Sequence, residues 1–101
     1  RIIWPKYAKL LFSVPNGGSR NIREAARLKS QGVVSGVSDL ILLVPKGNLH
    51  GLCIEMKSEK GKLSDKQKEW LELVRMQGYA TAVCNSFESF CETMQVYMNL
   101  R

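Results

Sequence analysis

A chain of 101 residues, 45% hydrophobic and 24% charged, has the composition of one globular domain over residues 1–101 and not that of a disordered or fibrous chain. Its apolar runs fall well short of the ~20 residues that a membrane span needs, and nothing resembles a secretory leader. A formal charge of +6 favours an anionic partner, nucleic acid before membrane, because no basic amphipathic helix with a broad apolar face stands out.

In chain order, Arg1-Ile2-Ile3-Trp4-Pro5 reads as the tail of a helix that Pro5 ends. Lys9–Val14 reads as a buried strand, and Pro15-Asn16-Gly17-Gly18 as a tight turn whose paired glycines permit positive φ or close backbone approach. Asn21 followed by Glu24 has capping-box spacing and predicts a short helix to about Ser30, stopped by Gly32. Two further strands span Gly36–Val44 and Gly51–Lys57, joined by Pro45-Lys46-Gly47-Asn48. After the polar loop Ser58–Lys62, Ser64 and Gln67 form a second capping box, opening a helix with the apolar stripe Trp70, Leu71, Leu73 and Val74 that ends at Gly78. Tyr79–Cys84 is a fourth strand. Ser86 then caps a last helix with the stripe Phe87, Phe90, Cys91, Met94, Tyr97 and Met98, which is core in character and not a cofactor box. The order (α)βαββαβα predicts an α/β layered domain, with three strands in a meander and a fourth returning after a helix.

The cysteines Cys53, Cys84 and Cys91 are odd in number and have no Cys-x-x-Cys spacing, so they read as free buried thiols in a reducing, intracellular setting. His50, the sole histidine, reads as a surface residue touching solvent or DNA.

The two central strands carry the chemistry. Asp39 interrupts one apolar run, and Glu55 and Lys57 interrupt the next. An unpaired buried charge costs several kcal/mol. Side chains alternate along a strand, so Glu55 and Lys57 share a face while Leu52, Ile54 and Met56 take the other. A three-residue loop centred on Gly47 sets Asp39 opposite Glu55, whereas a two-residue Gly47-Asn48 turn continued along the strands sets Asp39 opposite Met56; the three-residue loop is adopted as the expectation. Two opposed carboxylates lie ~5 Å apart and repel unless a cation sits between them, and a hard ion such as Mg²⁺ suits oxygen donors.

Asp39…Glu55-Met56-Lys57 resembles the PD-(D/E)xK nuclease signature, with Ser38 in place of the proline. With Pro15-Asn16-Gly17-Gly18, Arg27-Leu28-Lys29-x-x-Gly32, Gly36-Val37-Ser38-Asp39, Leu63-Ser64-x-x-Gln67 and Gly78-Tyr79 in matching order, the stretch from Leu10 to Phe90 resembles the virus-type replication-repair nuclease (VRR-NUC) domain. The resemblance implies a restriction-endonuclease-like core, a mixed sheet of about four strands flanked by helices. It implies Asp39, Glu55 and the Met56 backbone carbonyl as ligands of Mg²⁺ or Mn²⁺, Lys57 as the residue that orients or activates water, and Gln67 beside the site, although the capping box alone would also satisfy Gln67. The family pattern has a further glutamate on an N-terminal helix; either that helix lies upstream of this sequence or the metal shell is completed otherwise, which leaves the number of metals open.

The expected activity is hydrolysis of DNA phosphodiesters by a metal-dependent endonuclease. The resemblance implies branched, repair-type substrates such as Holliday junctions or flaps, a homodimer, and a cytoplasmic, viral or bacterial setting. A sequence-specific restriction-type enzyme is disfavoured by the small size, and a catalytically silent DNA-binding module by the presence of both acids and the lysine. Expected DNA contacts are Lys46, Lys60, Lys62, Lys66, Lys68, Arg20, Arg23, Asn16 and Gly17.

Overall fold

The computed structural model describes residues 5–15, 32 and 34–101. Pro5 opens a 3₁₀ helix, Pro5–Leu10. Proline suits a first helical turn, where its φ is preset and its missing N–H would have had no partner. That helix takes the first residues of the expected strand, so β1 is only Leu11–Ser13, and it is an outer strand with Phe12 42% exposed. The helical tail at Arg1–Trp4 and the helix predicted from Asn21 lie outside the described residues.

β2 (Leu40–Leu42), β3 (Leu52–Met56) and β4 (Ala80–Cys84) complete a mixed sheet in the order β1-β2-β3-β4. The first three strands are mutually antiparallel and β4 runs parallel to β3. A parallel neighbour requires a crossover. Here it is supplied by α1 (Asp65–Met76), and α2 (Phe87–Met98) follows β4.

Both helices begin at the expected serines, each with a complete capping box: Ser64 with Gln67 and Ser86 with Ser89. Gly78, at φ 96°, ends α1. The Gly78 N–H donates to Arg75 O and the Tyr79 N–H to Val74 O, the pairing of a Schellman motif that only a left-handed residue closes easily.

The hairpin register agrees with the sequence expectation, but the turn does not. Leu40 pairs with Ile54, Ile41 with Cys53 and Leu42 with Leu52, and one more residue along this register sets Asp39 opposite Glu55. The tip is nevertheless the two-residue turn Gly47-Asn48, closed by Lys46 and Leu49 through bonds of 3.0 and 2.8 Å. Gly47 has φ 56°, at the position where a II′ turn takes glycine. Between tip and strands, Leu43, Val44 and Pro45 stand against only His50 and Gly51. This bulge adds one residue and restores the register that the tighter turn would have shifted.

Leu42, Leu52, Ile54 and Cys84 project from one face of the sheet onto Phe90, Met94, Tyr97 and Met98 of α2, all buried. The Tyr97 hydroxyl donates to Val44 O at 2.6 Å, which ties α2 to the bulge. α1 lies on the opposite face, where Arg75 pairs with Glu72 and donates to Thr81 Oγ1 at 2.7 Å. Of its predicted stripe only Leu71 is fully buried, and Leu73 is 54% exposed.

Candidate active site

β2 starts at Leu40, so Asp39 stands at its mouth, where the strand is still tethered by the Val14 N–H donating to Asp39 O at 2.8 Å. The Asp39 side chain crosses to β3 and accepts the Met56 N–H on Oδ2 at 2.9 Å. One carboxylate oxygen thus replaces a carbonyl of the β2–β3 ladder at the point where the ladder opens. On the other side of β3, the Lys57 N–H donates to Cys84 O at 2.8 Å, holding Lys57 in line at the end of the sheet. Asp39 and Lys57 therefore flank Glu55 by backbone geometry alone.

Glu55 is 1% exposed. Its Oε2 accepts from Gln67 Nε2 at 2.9 Å, and its buried Oε1 has no hydrogen-bond donor among the described residues. A carboxylate so placed resists ionisation: burial, and then the neighbouring Asp39, push its pKa up to about 7 from 4.5, while Lys57 pulls the other way.

Gln67 reaches Glu55 because the capping box leaves its amide one free end. Its Oε1 accepts the Ser64 N–H at 2.8 Å and its own backbone N–H donates to Ser64 Oγ at 3.1 Å. Opposite, Gly36 lies against the first turn of α1; a Cβ built on it would come within 2.4 Å of Lys66 O, and its φ is 83°. Glycine is required there for both reasons. Between these elements opens a cleft of about 460 Å³ lined by Ser35, Gly36, Asp39, Glu55, Met56, Lys57, Ser64, Lys66 and Gln67.

The structure thus brings together Asp39, Glu55, Met56, Lys57 and Gln67, together with Lys66 of the expected DNA contacts. Lys46 sits at the turn end of the hairpin, and Lys60 and Lys62 in the loop after β3, outside the cleft lining. Lys68 is on α1, outside the lining as well. Arg20, Arg23, Asn16 and Gly17 lie outside the described residues. His50 belongs to neither site nor cleft; its N–H donates to Gly78 O and its ring meets Tyr79 edge-on at 5.7 Å. Sequence reasoning missed Ser35 and Ser64 as cleft lining, and read Gly36 as the start of a strand and a motif residue where it packs against the first turn of α1.

Two carboxylates, a buried carboxylate oxygen with no donor among the described residues and a nearby backbone carbonyl form a hard-oxygen set that suits Mg²⁺ or Mn²⁺. Among the described residues no third acidic, histidine or cysteine side chain joins them. Asp39, Glu55 and Met56 O are the groups that would hold the ion.

The VRR-NUC domain family matches residues 3–88. A solved structure described as a VRR_NUC domain protein superposes with a TM-score of 0.81 at 29% identity, covering 93% of this chain and 71% of that one. Among curated proteins none matches. The mixed sheet between helices is accordingly a restriction-endonuclease-like α/β fold. The match covers most of the length, from residue 3 into the first turn of the last helix, and spans both acids and the lysine: the chain belongs to the VRR-NUC family and is a nuclease domain of the PD-(D/E)xK superfamily.

Proposed function

We propose that this domain is a divalent-metal-dependent endonuclease that hydrolyses DNA phosphodiesters, with Asp39, Glu55 and Lys57 as its catalytic residues. The observation that carries the reading is the Glu55 carboxylate, 1% exposed and beside Asp39 at the cleft. Two carboxyl groups this close cannot both ionise without a neutralising charge between them, so the pair suits a cation.

A bound Mg²⁺ or Mn²⁺ would polarise the phosphodiester and lower the pKa of an attacking water. Asp39 and Glu55 would hold the ion at the open end of the sheet. Lys57, one alternation beyond Glu55 on the same face, supplies a compact positive charge toward the phosphate oxygens and orients the water. Lys66, on the cleft wall, suits a non-bridging phosphate contact. The family resemblance favours branched substrates, Holliday junctions or flaps, and a homodimer that presents two sites by two-fold symmetry.

Plasmid, flap and four-way-junction DNA, each incubated with Mg²⁺, Mn²⁺ or EDTA, test the reading. Metal-dependent cleavage is expected on at least one branched substrate. Lys57→Ala should reduce the rate by about 10²–10³-fold, the usual cost of losing one group that stabilises developing charge. Wild-type protein that cuts nothing, or Lys57→Ala that cuts equally well, sinks the enzyme reading. A monomer mass by light scattering, free and on DNA, sinks the dimer.

A further inference from the structure

Two acceptors and two donors meet at the start of α1, and their order is not symmetric. A glutamine amide can turn either end toward a neighbour, and on Glu55 only its NH₂ end is useful. The Ser64 N–H removes the choice by donating to Gln67 Oε1 at 2.8 Å, so that Nε2 is the atom left to face Glu55 Oε2 at 2.9 Å. The contrast with the other capping box sharpens the point. Ser89 spends its hydroxyl locally, on Asn85 N, Ser86 N and Ser86 O. Gln67 is long enough to close its box and still reach the strand.

We propose that the capping box of α1 is also the positioning device of the site: the Ser64 backbone N–H orients the Gln67 amide, which holds Glu55 by Oε2 and leaves Oε1 as the oxygen offered to the divalent cation. Ser64 and Gln67 are positioning residues in this scheme. The inference rests on the metal-dependent reading above and adds to it a residue that touches neither metal nor substrate. Groups that orient a ligand in this way typically change metal affinity by about 10–100-fold when removed.

The test is Mn²⁺ affinity of the full chain by isothermal titration, without DNA, alongside thermal melting. Ser64 has φ −73°, which proline accepts, so Ser64→Pro deletes the N–H at a compatible backbone. Ser64→Pro and Gln67→Met should each bind Mn²⁺ about 10–100-fold more weakly, whereas Ser64→Thr, which keeps both halves of the box, should bind as wild type does. Ser86→Ala supplies the control, since it loses a helix cap of the same kind outside the cleft lining and should lower Tm without changing affinity. Unchanged affinity in Ser64→Pro and Gln67→Met overturns the proposal, and so does an equal loss in Ser86→Ala, which would make the effect one of stability. A second measurement needs no metal and no proline variant. In the wild-type NMR spectrum the Gln67 side-chain amide protons should exchange slowly and shift on Glu55→Ala; an amide that behaves as free glutamine overturns the proposal. Wild-type protein that binds no Mn²⁺ refutes the metal reading instead, and the amide spectrum then decides the orientation of Gln67 by itself.

Discussion

The two faces of β3 are built on opposite terms. Leu52 and Ile54 point into the contact with α2, at 2% and 0% exposure, where the packing is largely apolar and the gain is burial. Cys53 and Glu55 are as deeply buried, at 2% and 1%, but they face the α1 side and carry the polar atoms. There one carboxylate oxygen accepts from Gln67 and the other has no donor among the described residues. Alternation along five residues thus places the most stabilising side chains and the most costly one next to each other. The first face supplies the stability that the second can spend on holding a carboxylate poised for a cation.

The comparison breaks or holds on neighbouring substitutions of opposite sign. Ile54→Ala empties a fully buried site among closely packed side chains and should cost about 2–5 kcal/mol by denaturant or thermal unfolding. Glu55→Gln should do the reverse in metal-free protein. The folded pKa of about 7 lies above the reference 4.5, so between those pH values the native state keeps a proton that the unfolded chain has lost. Stability therefore falls as pH rises through that window, and above it the penalty is complete, at most about 3 kcal/mol. Glutamine cannot ionise and can donate to Asp39. The variant should melt higher than wild type at about pH 8, by about 4–8 °C per kcal/mol recovered, with little difference at about pH 5. Added Mn²⁺ should raise the wild-type Tm and leave that of Glu55→Gln unchanged. If Glu55→Gln destabilises at both pH values, the carboxylate is an ordinary structural group and the contrast between the faces disappears.

A smaller effect is expected where the polar face meets the loop before β2. Gly36→Ala forces a methyl to within about 2.4 Å of Lys66 O at a φ of 83°, so the loop or the first turn of α1 must move. A cost of about 1–3 kcal/mol follows from overpacking, with a further share from the left-handed backbone. The same shift should carry Asp39 away from Glu55 and weaken Mn²⁺ binding. Titration calorimetry that finds the affinity intact would show that the loop does not set the position of Asp39.

How much of this was legible beforehand differs between the faces in the same way. Period-two alternation sorted β3 correctly, and the capping box at Ser64 and the N-cap at Ser86 located both helix starts, because those signals act over two to four residues. The register that opposes Asp39 to Glu55 was also expected, but from a loop that is absent: the true turn is one residue shorter and the bulge at Leu43–Pro45 makes up the difference. A bulge has no strong local signature, so two opposite errors in reading the turn and the strand cancelled. Pro5 was expected to end a helix and is seen to open a 3₁₀ helix, because proline starts a helix as readily as it stops one. Nothing local in the sequence announces that Gln67 spans from its own cap to Glu55, since that contact joins residues brought together only by the crossover.

The smallest predicted effect tests where helical periodicity overreaches. Phe87 and Phe90 both fall in the apolar stripe of α2, and their rings stack at 6.0 Å, yet Phe90 is 9% exposed and Phe87 64%. Phe87 is the first residue of the helix, beside the cap. Phe90→Ala should cost about 3–5 kcal/mol. Phe87→Ala should cost no more than about 1 kcal/mol, the worth of an aromatic pair with little burial behind it. Unfolding of both variants in urea separates the two cases. A Phe87→Ala loss as large as that of Phe90→Ala would mean that in solution this ring is covered by something outside the described residues, and would return the whole stripe to the core where periodicity first placed it.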